Sequence, residues 1–153
     1  MIPVVKHLDP VLGIDIHIVM LPTGVPTPMP HPHIALILDP FDYLPFLGTS
    51  IFVGPLRRAT AGSMGIPVPH FPMGGPFVKP PRNETEIFMG STTVRAEGQP
   101  MTYSALPVLS CQDFGFVAPI RSRPKCTFGM VLPISVVLGV PLGKPVFVGG
   151  PPT

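Results

Sequence analysis

Few side chains in this 153-residue chain can bind a metal or move a proton: five histidines, two cysteines and eight carboxylates. The best zinc donors are His17, His31, His33, His70, Cys111 and Cys126, because zinc prefers imidazole nitrogen and thiolate sulfur. No pair has the local C-x-x-C or H-x-x-x-H spacing, so any site must be assembled from distant segments. His17 lies in GIDIHIV, residues 13–19, where alternation would put Asp15 and His17 on one face of a strand. PTPMPHPHIALILDP, residues 26–40, sets His31 and His33 between prolines. Two apart, they share a face in an extended chain, and the proline-braced segment reads as a loop offering one of them to a compact site. His7 reads as solvated. Cys126 lies among Arg121, Arg123 and Lys125, whose charge favours a thiolate on an exposed loop.

The same atoms offer a nucleophilic reading, with Cys111 attacking, His70 as base and Asp113 as orienter. Against it, Cys-Gln-Asp puts the carboxylate beside the nucleophile, whereas an orienter must reach the far side of the imidazole. No serine elbow, phosphate-cradling glycine loop or carboxylate pair is present. NET at 83–85 spells a glycosylation sequon, which means something only in a eukaryotic secretory setting. Catalysis is not expected.

The elements that must position these groups are short and β-rich. The 25 prolines and 16 glycines make up more than a quarter of the chain, and no proline-free window holds a helical apolar pattern. With 45% hydrophobic and 12% charged residues and a mean hydropathy of +0.46, the chain must fold compactly or be covered by a partner. Three runs share one shape: SIFVG (50–54), EIFMG (86–90) and PVFVG (145–149). GPLRRATAG echoes GSTTVRAEG, and GIPVPHFPMGG parallels ALPVLSCQDFG, which sets His70 alongside Cys111. Stacked β-units of this kind imply a compact all-β body with long loops. Residues 112–130 read as a loop or insertion between units. The stop after VFVGGPPT reads as the end of a module cut from a longer chain.

A formal net charge of +2 gives no nucleic-acid patch. The N-terminus has no signal-peptide pattern. The longest apolar run, MVLPISVVLGV at 130–140, is about half a membrane span and is broken by Pro133.

The segments LDPVLGIDIHIVMLPTG, PTPMPHPHI, FDYLPFLG, PHFPMGGPFVKPPRNETEIFMGS, ALPVLSCQDFG and VFVGGPPT together resemble the PAAR-like module of bacterial Rhs-type toxins. The resemblance runs from about Asp9 to Thr153. The naming Pro-Ala-Ala-Arg tetrapeptide is absent, its places taken by Leu56-Arg57-Arg58-Ala59 and Thr93-Val94-Arg95-Ala96. The resemblance implies one all-β domain over residues 1–153, a three-sided β-cone that forms the spike tip of a type VI secretion system. Its flat base would dock on the VgrG trimer, and toxin domains would follow in the same chain, with a dedicated chaperone as a further partner. The family's structural zinc, one per chain, is held by three histidines and a cysteine. Carried over, these are His17, His31 and His70 with Cys111, and His33 is the alternative to His31. The implied protein is not an enzyme, and it leaves the bacterial cytoplasm through the secretion apparatus. The alternative from another class is a small zinc- or Cys/His-dependent hydrolase.

Overall fold

The computed structural model describes residues 1–46, 48–111, 135–140 and 144–152. Residues 112–134, and with them the expected insertion, Asp113 and Cys126, lie outside the described residues. The fold is all-β, and the described residues contain one short 3-10 turn, Pro40–Tyr43.

Its main feature is a long hairpin. Strand β2 (Pro10–Met20) pairs antiparallel with β3 (Pro26–Ile37) over eleven residue pairs, through a turn in which Gly24 takes a left-handed φ of 79°. Side chains alternate: Val11, Asp15, His17 and Val19 of β2 and His31, His33, Ala35 and Ile37 of β3 are buried, with exposed or half-buried residues between them.

The segment holding His31 and His33 is therefore a strand, not the loop that its prolines imply. The physical reason is their spacing. Pro26, Pro28, Pro30 and Pro32 fall on every second residue, and ladder bonds alternate sides with the same period. Odd-numbered β3 residues face β2, as the bond from Ile37 N–H to Asp9 O shows. Even-numbered ones face away: Ile34 O accepts from Val68 N–H at 2.7 Å. Each proline thus lacks its N–H on the side where β2 asks for none, and the free edge is blunted by the same residues.

The lower part of the hairpin belongs to a closed six-stranded antiparallel barrel. Its other strands are β6 (Met64–Pro67), β7 (Thr85–Ile87), β10 (Pro107–Leu109) and β11 (Ser135–Val137), in the order β10-β11-β2-β3-β6-β7. Val11, Ala35, Ile37, Ile87, Val108 and Val137 fill it and are fully buried. Only residues 11–12 of β2 pair with β11, and only residues 35–37 of β3 pair with β6. The rest of the hairpin projects beyond the barrel. Because β6 and β10 both pair antiparallel with β7, both leave the barrel at one end, and β7 enters there. That end is the side of the projecting hairpin, since β3 runs from its turn into the barrel against β6.

At the other end lie three two-stranded ribbons. They are β1 (Ile2–Pro3) with β12 (Phe147–Val148), β4 (Phe52–Val53) with β5 (Leu56–Arg57), and β8 (Arg95–Ala96) with β9 (Gln99–Pro100). Of the three Phe-Gly runs, two supply ribbon strands β4 and β12, while the second supplies barrel strand β7. Val4, Val5, Ala59, Met101, Tyr103 and Val148 extend the barrel core into this end as one apolar cluster.

His7, expected to be solvated, is fully buried here. Its Nε2 lies 3.0 Å from Asp42 Oδ2, and its Nδ1 lies 2.9 Å from the Tyr43 hydroxyl. Arg58 bridges Asp42 and Glu97 at 2.8 Å each, which ties the N-terminal segment to the 3-10 turn and the β8–β9 turn. Burial lowers the His7 pKa despite the neighbouring Asp42. Arg58, half of one short basic cluster, is spent inside this network.

The proline spacing is testable. Met29→Pro moves a proline onto a residue whose N–H faces β2, and by removing a ladder bond and stranding its acceptor it should destabilise the protein by about 1–3 kcal/mol. Pro28→Ala, on the outward set, should cost less than about 1 kcal/mol. Thermal and urea unfolding of the two variants reads the contrast, and equal effects would refute the alternation argument.

Candidate metal centre

In the projecting half of the hairpin most of the buried inward side chains are polar, Val19 near the turn being the apolar exception. Asp15, His17, His31 and His33 replace the valines and isoleucines of the barrel below, and all four are buried. β-Branched neighbours Ile14, Ile16 and Ile18 keep the strand extended, so alternation delivers Asp15 and His17 to one face. Beyond β6, the chain returns along β2: Met20 N–H donates to Pro76 O at 2.8 Å and Val78 N–H to Ile18 O at 2.9 Å. That return brings His70, whose side chain is fully buried, and Phe77, whose ring packs against His17 and His31. Glycine is required at position 75, where a Cβ would collide with Met20 O. From the end of β10, Ser110 and Cys111 reach the same interior.

Asp15, His17, His70 and Cys111 converge, with one donor atom of each within 4.8 Å of all the others. The Cys111 sulfur lies 3.7 Å from His17 Nε2, and 3.6 and 3.8 Å from His70 Nδ1 and Nε2. Asp15 Oδ2 lies 3.1 Å from the sulfur, 3.0 Å from His70 Nε2 and 4.0 Å from His17 Nε2. Tetrahedral zinc with ordinary bond lengths would separate such donors by about 3.3–3.7 Å, so the set brackets the metal's requirement. The cluster could hold a metal ion.

His17, His70 and Cys111, three of the four residues expected as ligands, are in this cluster, and its fourth member is Asp15. His31 stands beside it, its ring 5.5 Å from that of His17. Main-chain groups hold both its nitrogens: Nδ1–H donates to Met29 O at 2.9 Å, and Nε2 accepts from Met73 N–H at 3.2 Å. His33, the alternative, lies with Nδ1 3.0 Å from Asp15 Oδ2 and Nε2 2.9 Å from the Thr85 hydroxyl. Asp15 was legible as a neighbour of His17 but not as a donor, because nothing local shows that three distant segments close over it.

Asp15 organises the electrostatics. Burial alone would raise its pKa, but contacts with His33 and Ser110, the charge of His33 and the Cys111 thiol outweigh that and hold it at about 2. Ser110 O–H donates to the other carboxylate oxygen, Oδ1. Cys111 moves the opposite way: burial first, then the adjacent Asp15 charge, push its pKa up. Without a cation the thiol therefore stays protonated and donates to Asp15 Oδ2. Cys111, His70 and Asp15 also form a sulfur–imidazole–carboxylate triangle, but Asp15 Oδ2 lies against the sulfur itself as well as the imidazole, so it does not take the orienter's place on the far side of the ring. An enclosed, protonated thiol is also a poor nucleophile.

Comparison with protein-family models, characterised proteins and solved structures finds no match.

In the metal-free protein, Asp15 contributes stability that is present above its ordinary pKa of 3.8 and lost as pH falls toward about 2. Asp15→Asn should cost about 2 kcal/mol at neutral pH, the equivalent of that shift. It should also flatten the fall in melting temperature between about pH 4 and pH 2. Melting curves across this range check both.

Proposed function

We propose that this chain is a metal-stabilised, non-catalytic spike-tip module, the PAAR-like tip of a type VI secretion spike. In this reading it caps the VgrG trimer through a flat base as a three-sided cone and carries toxin domains in the same chain. It is made in the bacterial cytoplasm and leaves it with the spike. The observation that carries the reading is the polar interior of the projecting hairpin. A tip is too narrow for an apolar core, and a bound metal replaces one by tying together strands that have little else to hold them. The donor set of one carboxylate, two imidazoles and a thiol fits zinc, with Asp15, His17, His70 and Cys111 as the residues that would hold it. The metal's role is structural: its charge offsets the cost of a Cys111 thiolate beside Asp15.

Stiffness supports the same reading. Prolines alternate along β3, the barrel is closed, and the ion-pair network of His7, Asp42, Arg58 and Glu97 clamps the end away from the hairpin turn. A partner surface is supported by exposed Leu12, Ile14, Ile34, Leu36 and Ile66 on one face of β2, β3 and β6, and by Phe52 and Phe147 on the ribbons. Among the described residues no helix is long and apolar enough to cross a membrane.

The decisive experiment is metal content by plasma mass spectrometry, with thermal melting in parallel. Wild type should carry about one zinc per chain. Cys111→Ser and His70→Ala should each lose it and melt at lower temperature, toward the melting point of chelator-treated wild type. A well-folded wild type without metal would sink the metal reading. Co-purification with a VgrG trimer tests the partner, and its absence at micromolar concentration argues against the spike. Hydrolytic activity lost in Cys111→Ser with stability intact would favour the enzyme instead.

A further inference from the structure

The Asn83-Glu84-Thr85 motif finds its use inside the molecule. Thr85 is buried at the start of β7, its hydroxyl 2.9 Å from His33 Nε2. Asn83 Oδ1 lies 3.1 Å from His70 Nδ1. The main chain of Asn83 also acts on Cys111, in the direction that favours its thiolate. Asn83 therefore touches one member of the candidate metal centre, His70, through its side chain and bears on a second, Cys111, through its main chain. Its φ of 50° is left-handed, a conformation that asparagine accepts more readily than most residues.

The chemistry of His70 gives that contact a consequence. A neutral imidazole carries one proton, on Nδ1 or on Nε2. His70 Nε2 faces the cluster, 3.0 Å from Asp15 Oδ2. If the proton sits on Nε2, it points at Asp15 and leaves no lone pair for a cation there. If it sits on Nδ1, donated to Asn83 Oδ1, the Nε2 lone pair is aimed into the cluster. Asp15 and Asn83 thus compete for a single proton, and the winner sets whether His70 can ligate.

We propose that Asn83 is a positioning residue of the metal centre: its side-chain carbonyl holds the His70 proton on Nδ1, which leaves Nε2 free to bind the metal. This rests on the metal reading above. Outer-shell partners of ligating histidines typically matter by about 10- to 100-fold in metal affinity. The motif is then a metal-site device, with Thr85 closing the same interior from beside it, and it is no glycosylation acceptor.

Two substitutions separate side chain from backbone. Asn83→Gly keeps the left-handed φ and the main chain beside Cys111 but removes the acceptor. Asn83→Asp keeps an acceptor for Nδ1–H. Zinc affinity is measured by competition with a chromophoric chelator, and the His70 tautomer of the metal-free proteins by long-range 1H–15N NMR. Asn83→Gly should bind zinc about 10-fold or more weakly, with its His70 proton moved to Nε2. Asn83→Asp should stay within a few-fold of wild type and keep the proton on Nδ1. Metal-free melting points should be alike in all three.

If wild type binds zinc and Asn83→Gly binds it equally well, the positioning role is wrong and the metal centre stands. The role is also wrong if Asn83→Asp is as weak as Asn83→Gly, or if the wild-type proton already sits on Nε2. A wild type that takes up no zinc overturns the metal reading itself, and this role with it.

Discussion

The projecting half of the β2–β3 hairpin has a carboxylate where a β-barrel would put a valine, and its surroundings answer that one substitution. A buried charge needs compensation, and Asp15 draws it from Ser110, Cys111, His33 and His70. Those residues come from three separate stretches of chain. The return past Pro76, the exit of β10 and the entry of β7 all close toward Asp15. Without them, the hairpin beyond the barrel would be a two-stranded ribbon in water, which is marginal by itself. With them it is a walled, donor-rich interior.

That interior and the proline spacing belong to one design. A strand whose odd residues point inward must form its ladder with β2 through those same residues. Prolines on the even residues leave that ladder intact, fix the extended backbone and deny the outer edge its donors. The histidines are thus held by a strand that has few other conformations available. Rigidity here comes from restricting the chain, since there is little apolar area to bury. At the opposite end, burial of His7 against Asp42 and Tyr43 plays a comparable part by ionic and hydrogen-bonded means.

How much of this could be read from residues alone varies by element. The lack of α-helix among the described residues, the strand at GIDIHIV and the placing of Asp15 with His17 on one face follow from the proline spacing and from alternation, both local properties. The proximity of His70 to Cys111 was visible through the internal echo between their segments, because β6 and β10 flank the same strand. His7 was misread, since its partners Asp42 and Tyr43 are 35 and 36 residues away. The PHPH segment was misread as a loop because proline is ordinarily a strand breaker. Its period of two removes that objection only once the neighbour on one side is known.

Composition and alternation were enough to determine an all-β body, the placing of Asp15 and His17 on one strand face, and a supply of zinc-type donors. They work because strand geometry is set residue by residue. Beyond the His70–Cys111 pairing, which donors meet was decided by tertiary structure: Asp15 in the cluster, His31 held aside by Met29 and Met73, and Asn83 set against His70. The reason is physical. Convergence depends on which strands share a barrel end and on where later segments fold back, 42 residues on for Met73 against His31 and 95 and 96 for Ser110 and Cys111 against Asp15, and no local preference encodes a contact over that separation.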